Sequence, residues 1–181
     1  MRVGIAGVGG IGSNVAVNLV RSGIRKFTLA DFDTVEESNL NRQFYFKDQI
    51  GQAKVAMLRD NLLRIDAELD IEVFPERLDN INIIDVFTGC DVIVEGFDQT
   101  CDKKMLIESF AGDSRPIVSA SGIAGSCIDN LSSRRLGNCT IVGDFTTDCK
   151  DAQLYAHKVV AVAASMTDIL LTECGHYEKQ Q

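Results

Sequence analysis

The chain opens on a glycine loop that commits its first third to one kind of supersecondary structure. Val3-Gly4-Ile5-Ala6 is a short apolar run, Gly7-Val8-Gly9-Gly10-Ile11-Gly12 has the spacing G-x-G-x-x-G, and Ile11 to Val20 reads as a helix that Gly23 ends. A strand that feeds a helix through such a loop is the first half of a Rossmann unit. Gly7, Gly9, Gly10 and Gly12 permit a tight turn and let a phosphate approach bare backbone, and the helix N-terminus beyond them supplies free N–H groups and partial positive charge. A purely structural glycine turn is the competing reading; the strand before the loop and the helix after it favour a nucleotide. The motif alone does not choose between NAD, FAD and ATP.

The rest of the chain keeps the alternation going. Phe27 to Ala30 is a second strand ending at Asp31, and residues 53–69 carry Val55, Leu58, Leu62, Ile65 and Leu69 on one helical face. Residues 71–74, 92–94 and 117–120 are further strands; 81–87 and 103–110 are helical; 127–142 holds one or two strands around a turn at Gly137-Asn138; and 152–172 is a long apolar helix. Strands alternating with helices predict an α/β domain, residues 1–181, with a mainly parallel sheet ordered 3-2-1-4 and further strands beyond.

Charge narrows the partners. Asp plus Glu is 26 and Lys plus Arg 18, for a net charge of −8. The mean field of such a chain repels phosphates, which argues against nucleic acid and anionic membrane as partners. No apolar run approaches the ~18 residues of a membrane span, and the apolar stretch at the start is too short for a signal peptide. The six cysteines include no C-x-x-C, so neither a zinc site nor a redox dithiol is expected, and the thiols fit a reducing, cytoplasmic setting.

Four places carry candidate chemistry beyond the glycine loop. Asp31, at the end of the second strand, suits a ribose hydroxyl; Asp33 reads as a turn or capping residue. Ser38-Asn39-Leu40-Asn41-Arg42-Gln43 and then Lys54 bring two cations close behind the ribose position. A dinucleotide needs little positive charge beyond its glycine loop, whereas a triphosphate losing pyrophosphate needs Arg and Lys to hold the departing charge, so the pair favours ATP. Asp98, after the fourth strand in Gly96-Phe97-Asp98-Gln99, falls at the same carboxyl edge as the glycine loop and Asp31. It suits Mg²⁺ on the phosphates, with a helix N-cap near Thr100 as the alternative.

At these residues the chain resembles the ThiF- and MoeB-type adenylyltransferases, relatives of the ubiquitin-activating enzymes. The likeness rests on Gly7 to Gly12, Leu29-Ala30-Asp31-Phe32-Asp33, Ser38 to Gln43, Gly51-Gln52-Ala53-Lys54, Gly96-Phe97-Asp98 and Ser119 to Gly125. It is nearest to short ThiF-like proteins of thiamine synthesis. The resemblance implies adenylation of the C-terminal glycine of a ubiquitin-like sulfur carrier ending in Gly-Gly, of the ThiS kind, by a homodimer. It further implies Asp31 on the ribose, Asn39, Arg42 and Lys54 on the phosphates, Gln43 supporting them, and Asp98 on Mg²⁺. The chain departs from the family in three respects. It has no zinc cysteines, it begins at the first strand where some relatives have an arginine-bearing helix, and it has Gln99 where many have Asn.

Cys149 falls near the place where several members use a cysteine in sulfur or acyl transfer, with Lys150 beside it to lower its pKa; a bystander thiol is the commoner explanation. Cys90, Cys101 and Cys174 read as packing residues, and His157 and His176 as ordinary ones. Apolar residues on more than one face of the last helix, Val159, Val160, Val162, Ala163, Met166, Ile169 and Leu170, suit a dimer contact or a core helix equally. The alternatives to adenylation are a non-catalytic nucleotide-binding or carrier-docking module, an NAD-dependent oxidoreductase, and adenylation of a tRNA-linked carboxylate.

Overall fold

The computed structural model describes residues 1–177. The element order is β1 (Arg2–Ala6), α1 (Gly10–Arg21), β2 (Lys26–Ala30), α2 (Lys54–Leu63), β3 (Asp70–Phe74), α3 (Ile83–Val86), β4 (Val92–Glu95), α4 (Thr100–Ser109), β5 (Ile117–Ala120), β6 (Ser132–Leu136), β7 (Cys139–Gly143) and α5 (Ala156–Glu173). The strands form one sheet in the order β3-β2-β1-β4-β5-β7-β6. All neighbours are parallel except the β6–β7 pair. The expected order 3-2-1-4 therefore holds and extends through β5 to an antiparallel hairpin, which turns at Gly137 in a positive-φ conformation.

Alternation along the strands sorts the core into two layers. Val3, Ile5, Phe27, Leu29, Val92 and Val94 pack with residues of α1, α2 and α5. Ala6, Ala30, Ile93 and Ile117 pack with α3 and α4. Strands buried on both faces need apolar residues at every position, which is why 92–94 reads as an unbroken apolar run. The α5 helix is mainly a core helix: Val159, Val162, Ala163, Met166 and Leu170 are buried, Ile169 is half-buried, and Val160 alone of that set is exposed. Among the described residues no helix is long and apolar enough to cross a membrane.

Three helices are shorter than the sequence predicts, and α3 keeps only Ile83–Val86 of the expected 81–87. α2 stops at Leu63, although Ile65 and Leu69 still pack on the core from a turn. Asp66 ends the helical run because its carboxylate accepts the Glu68 N–H at 2.9 Å, a local bond that competes with the helix. α5 starts at Ala156 rather than 152, because the Gln153 carbonyl is taken by the Gly125 N–H at 2.8 Å.

Parallel strands direct their carboxyl ends to one edge, and the chain reverses direction around β1. That switch point, at the loops after β1 and β4, is the edge where open α/β sheets bind ligands.

Candidate functional site

The glycines of the first loop divide into two kinds. A Cβ on Gly12 would lie 1.9 Å from the Gly7 carbonyl oxygen, and one on Gly7 would lie 2.8 Å from that of Gly96. Both are required by the loop folding on itself and against the β4 loop. Gly9 has no such neighbour: its Cβ would meet only Gln43 Nε2, at 3.7 Å. Its bare backbone faces open space at the N-terminus of α1, which it caps without a side-chain bond. This is the surface a phosphate would use.

Asp31 stands beside this loop with both carboxylate oxygens occupied, one by the Val8 N–H at 2.8 Å and the other by the Asp33 N–H at 2.8 Å. Burial pushes its pKa up from the ordinary value, against the pull of the Asp33 N–H, the Lys54 charge and the Val8 N–H. Asp33 is not a helix cap as expected. The short helical turn Glu37–Asn39 is capped by Glu36, and the Asp33 carboxylate instead holds Lys54 Nζ at 2.8 Å. Lys54 is buried, opens α2, and donates its backbone N–H to the Asp33 carbonyl, so its ammonium has one direction in which to point.

Arg42 comes to the glycine loop because its segment is stitched onto α1. Asn14 Nδ2 donates to the carbonyls of Gly10 and Arg42, Ser13 Oγ accepts the Phe44 N–H at 3.1 Å, and Tyr45 donates its hydroxyl to the Val8 carbonyl at 2.7 Å. The arginine stem lies 3.7 Å from where a Gly10 Cβ would be, and its guanidinium donates to the Ser38 carbonyl and to Asn41 Oδ1. Asn39 is buried and gives its side-chain carbonyl to the Glu36 N–H at 3.1 Å, so in this state it shapes the turn. Gln43 is half-buried beside Gly9, and its Oε1 is buried without a hydrogen-bond partner.

Asp98 is exposed and makes no hydrogen bond or ion pair among the described residues. It does not cap α4; Gln99 occupies that position, without a side-chain bond. A single open carboxylate at the crevice suits Mg²⁺, which is held through one or two carboxylates plus the substrate's own phosphates. The described residues contain no cluster of three or more His, Cys, Asp or Glu able to hold a metal by themselves.

Sequence reasoning missed the residue that fixes this loop. Glu95 is fully buried, and its carboxylate accepts the Phe97 N–H at 2.7 Å, the Ser119 hydroxyl, and Lys103 Nζ at 2.9 Å and 3.0 Å. The signal was present: a Glu closing an apolar strand must be paired.

Cys149 is exposed in the loop after β7. The expected activation by Lys150 does not occur. Burial and the adjacent Asp148 push the thiol pKa up, and the cations that oppose the shift are Lys103 and Arg42. Cys101 is exposed rather than packed, while Cys90 is buried and Cys174 half-buried. His157 Nε2 lies 2.8 Å from the Ser126 carbonyl and His176 Nε2 lies 2.9 Å from that of Ser22.

The ThiF family profile matches residues 1–128. The chain belongs to the ThiF family. Ubiquitin-like modifier-activating enzyme 5 of Caenorhabditis briggsae is 44% identical to this ThiF-family chain over 87 residues, which is 48% of this chain and 20% of that protein. Molybdopterin-synthase adenylyltransferase of Salmonella typhimurium is 32% identical over 123 residues, 67% of this chain and 49% of that one. The chain thus spans about a fifth to a half of the length of these curated relatives. Among solved structures, E. coli tRNA N6-threonylcarbamoyladenosine dehydratase, TcdA, in complex with ATP superposes with a TM-score of 0.87. The match covers 99% of this chain and 88% of that one at 18% identity, and so shows a shared fold.

Proposed function

We propose that this chain is the ATP-binding part of an adenylyltransferase that joins AMP to the C-terminal glycine of a small ubiquitin-like carrier protein, the carrier being of the ThiS kind that serves thiamine synthesis. The observation that carries this reading is a glycine loop with open backbone at Gly9, the Arg42 stem packed beside Gly10 and Asp31 held on the Val8 N–H, with Lys54 joined to the neighbouring Asp33. Two cations at a glycine loop suit a triphosphate undergoing chemistry better than a dinucleotide that is only held. The names of the adenylyltransferase and activating-enzyme relatives support the activity, and the ATP complex of TcdA supports the nucleotide.

In this reading the bare backbone at Gly9 and the α1 N-terminus receive phosphate oxygens, and Asp31 accepts from a ribose hydroxyl. A carboxylate oxygen of the carrier's last glycine attacks the α-phosphorus, the bond to the β-phosphate oxygen breaks, and pyrophosphate leaves with the electron pair. Arg42 and Lys54 stabilise the charge that gathers on the departing group. Lys54 does so by trading part of its bond to Asp33. Asp98 would hold Mg²⁺, which when bound neutralises phosphate charge. No protein nucleophile is needed; alignment and charge stabilisation are the chain's contribution. The enzyme works in the cytoplasm as a homodimer.

The test is exchange of labelled pyrophosphate into ATP. Exchange is expected only with a carrier ending in Gly-Gly, and is lost when those two residues are removed. Stabilisation against heat by NAD and not by Mg-ATP would overturn the reading in favour of an oxidoreductase. Mg-ATP binding without exchange across a panel of carriers would overturn it in favour of a non-catalytic module.

A further inference from the structure

The loops after β5 and β7 are locked together by a device that the nucleotide site does not use. Lys158, in the first turn of α5, and Asp144, just past β7, form an ion pair at 2.6 Å with both side chains 1% exposed. The ammonium also donates to the Ala124 carbonyl and approaches Thr147 Oγ1 at 3.5 Å. A lysine ammonium has three protons, and these three acceptors take them all, so Lys158 has nothing left for a phosphate. Asp144 is equally saturated: its carboxylate accepts the N–H groups of Thr146 and Thr147 at 2.8 Å and 2.9 Å, and the Thr147 hydroxyl.

The two loops cross where neither has a Cβ. A Cβ on Gly143 would lie 1.6 Å from the Ser121 carbonyl oxygen, and one on Gly122 would lie 2.1 Å from Asp144 Oδ1. Both glycines and Phe145 have positive φ. Such a crossing persists only where its surroundings over-determine it, and the ion pair does so.

Two observations put this crossing against the crevice. β5 and β7 run parallel to β4, so their loops leave at the same edge as Gly96 and Asp98. Val159, next to Lys158, packs on the glycine loop, its Cγ1 being 3.2 Å from where a Gly10 Cβ would be.

We infer that Asp144 and Lys158 are positioning residues for the acceptor side of the crevice. Their ion pair fixes the loops after β5 and β7 as a wall beside the phosphate loop, along which the glycyl tail of the carrier reaches the α-phosphate. The inference rests on the adenylation reading. An extended tail without side chains offers only backbone to grip, so its carboxylate is aimed by the shape of the slot, and small displacements of the wall are costly in rate.

The test uses the full chain, a ThiS-type carrier ending in Gly-Gly as probe, and the double variant Asp144→Asn with Lys158→Met. Removing both charges together avoids stranding one in the interior and keeps the protein folded. Amide hydrogen–deuterium exchange reports the wall at Thr146 and Thr147, whose N–H groups Asp144 holds, and the global fold at the paired strands β1 and β4. In the double variant, the Thr146 and Thr147 amides are expected to exchange about tenfold faster, with β1 and β4 still protected. The KM for the carrier in pyrophosphate exchange rises about tenfold, while the Kd for Mg-ATP stays within about twofold. Lys158→Arg alone, which keeps the charge, leaves the carrier KM near that of the wild type. Unchanged amide exchange at Thr146 and Thr147 overturns the clamp, and so does equal acceleration in β1 and β4, which marks a general loosening. An Mg-ATP affinity that falls in parallel overturns the assignment to the acceptor side. If the wild-type chain gives no pyrophosphate exchange with any carrier, the adenylation reading fails and takes the acceptor role with it, whereas amide exchange at Thr146 and Thr147 still judges the clamp.

Discussion

The part of the sheet's carboxyl edge built from the loops after β1, β2 and β4 pairs its cations with groups that reach solvent. Beside the loops after β5 and β7, Lys158 is saturated by buried acceptors. Lys54 pairs with Asp33, whose side chain is 48% exposed, and Arg42 spends its donors on a carbonyl and an amide at the surface. Lys158 is enclosed with Asp144 and two further acceptors. A charge meant for a ligand needs a partner it can give up; a charge meant to fix a loop needs one it cannot. The difference between the two lysines lies in their partners, since each opens a helix at the same edge of one sheet.

The largest expected effect breaks the second arrangement. Asp144→Asn strands the Lys158 ammonium in the interior, and loss of one partner of a buried pair costs about 3–5 kcal/mol, to be read from urea unfolding at pH 7. Burial by itself raises the Asp144 pKa, but Lys158 and the Thr146 and Thr147 N–H groups together hold it well below the ordinary carboxylate range. Its contribution is therefore complete above about pH 4 and is lost as pH falls through the folded value. Wild-type stability should fall in acid towards that of the variant, and the gap between them should be widest near neutrality.

Next in size, Arg42→Ala or Asp98→Ala should slow carrier-dependent exchange by about 10²–10³-fold, the scale for removing one group that stabilises developing charge. Both variants should unfold at wild-type urea concentrations, since neither side chain is buried. Unaltered exchange in either would remove that residue from the mechanism.

Smaller still is the contrast within the glycine loop. Gly9→Ala adds a Cβ that meets only Gln43 Nε2 at 3.7 Å, so it should lower the melting temperature much less than Gly12→Ala while weakening Mg-ATP binding about tenfold, or ~1.4 kcal/mol. Gly12→Ala should lower the melting temperature itself, because its Cβ meets backbone. Equal melting for the two would dissolve the distinction between structural and ligand-facing glycines. The smallest effect serves as a baseline: Lys104→Ala removes an exposed pair with Glu108 and should change stability by less than about 0.5 kcal/mol.

The glycine-loop side was legible in the sequence because its determinants are local. A strand, a glycine loop, a helix and an acid at the end of the next strand lie within the first 31 residues, and the sheet order follows from that unit. Arg42 and Lys54 were legible as charges, but the bonds from Ser13, Asn14 and Tyr45 that bring Arg42 to the loop were not, because they join residues 28 to 37 apart. The same limit hid Glu95 with Ser119, and Lys158 with Ala124, which are 24 and 34 apart. A lysine one residue before Val159 in an otherwise apolar helix was the available hint. Helix ends were overrun at Asp66 and at Gln153 because apolar spacing does not register a side chain or a carbonyl captured by a competing bond.

By itself, then, the sequence determined the mainly parallel α/β sheet, the glycine turn after β1 and the set of charges near it, since periodicity and glycine spacing act through neighbours along the chain. Only the tertiary structure decided how each lysine is paired. Desolvation and pairing depend on what the fold packs around a group: Lys54 meets a half-exposed Asp33, whereas Lys158 meets a fully buried Asp144.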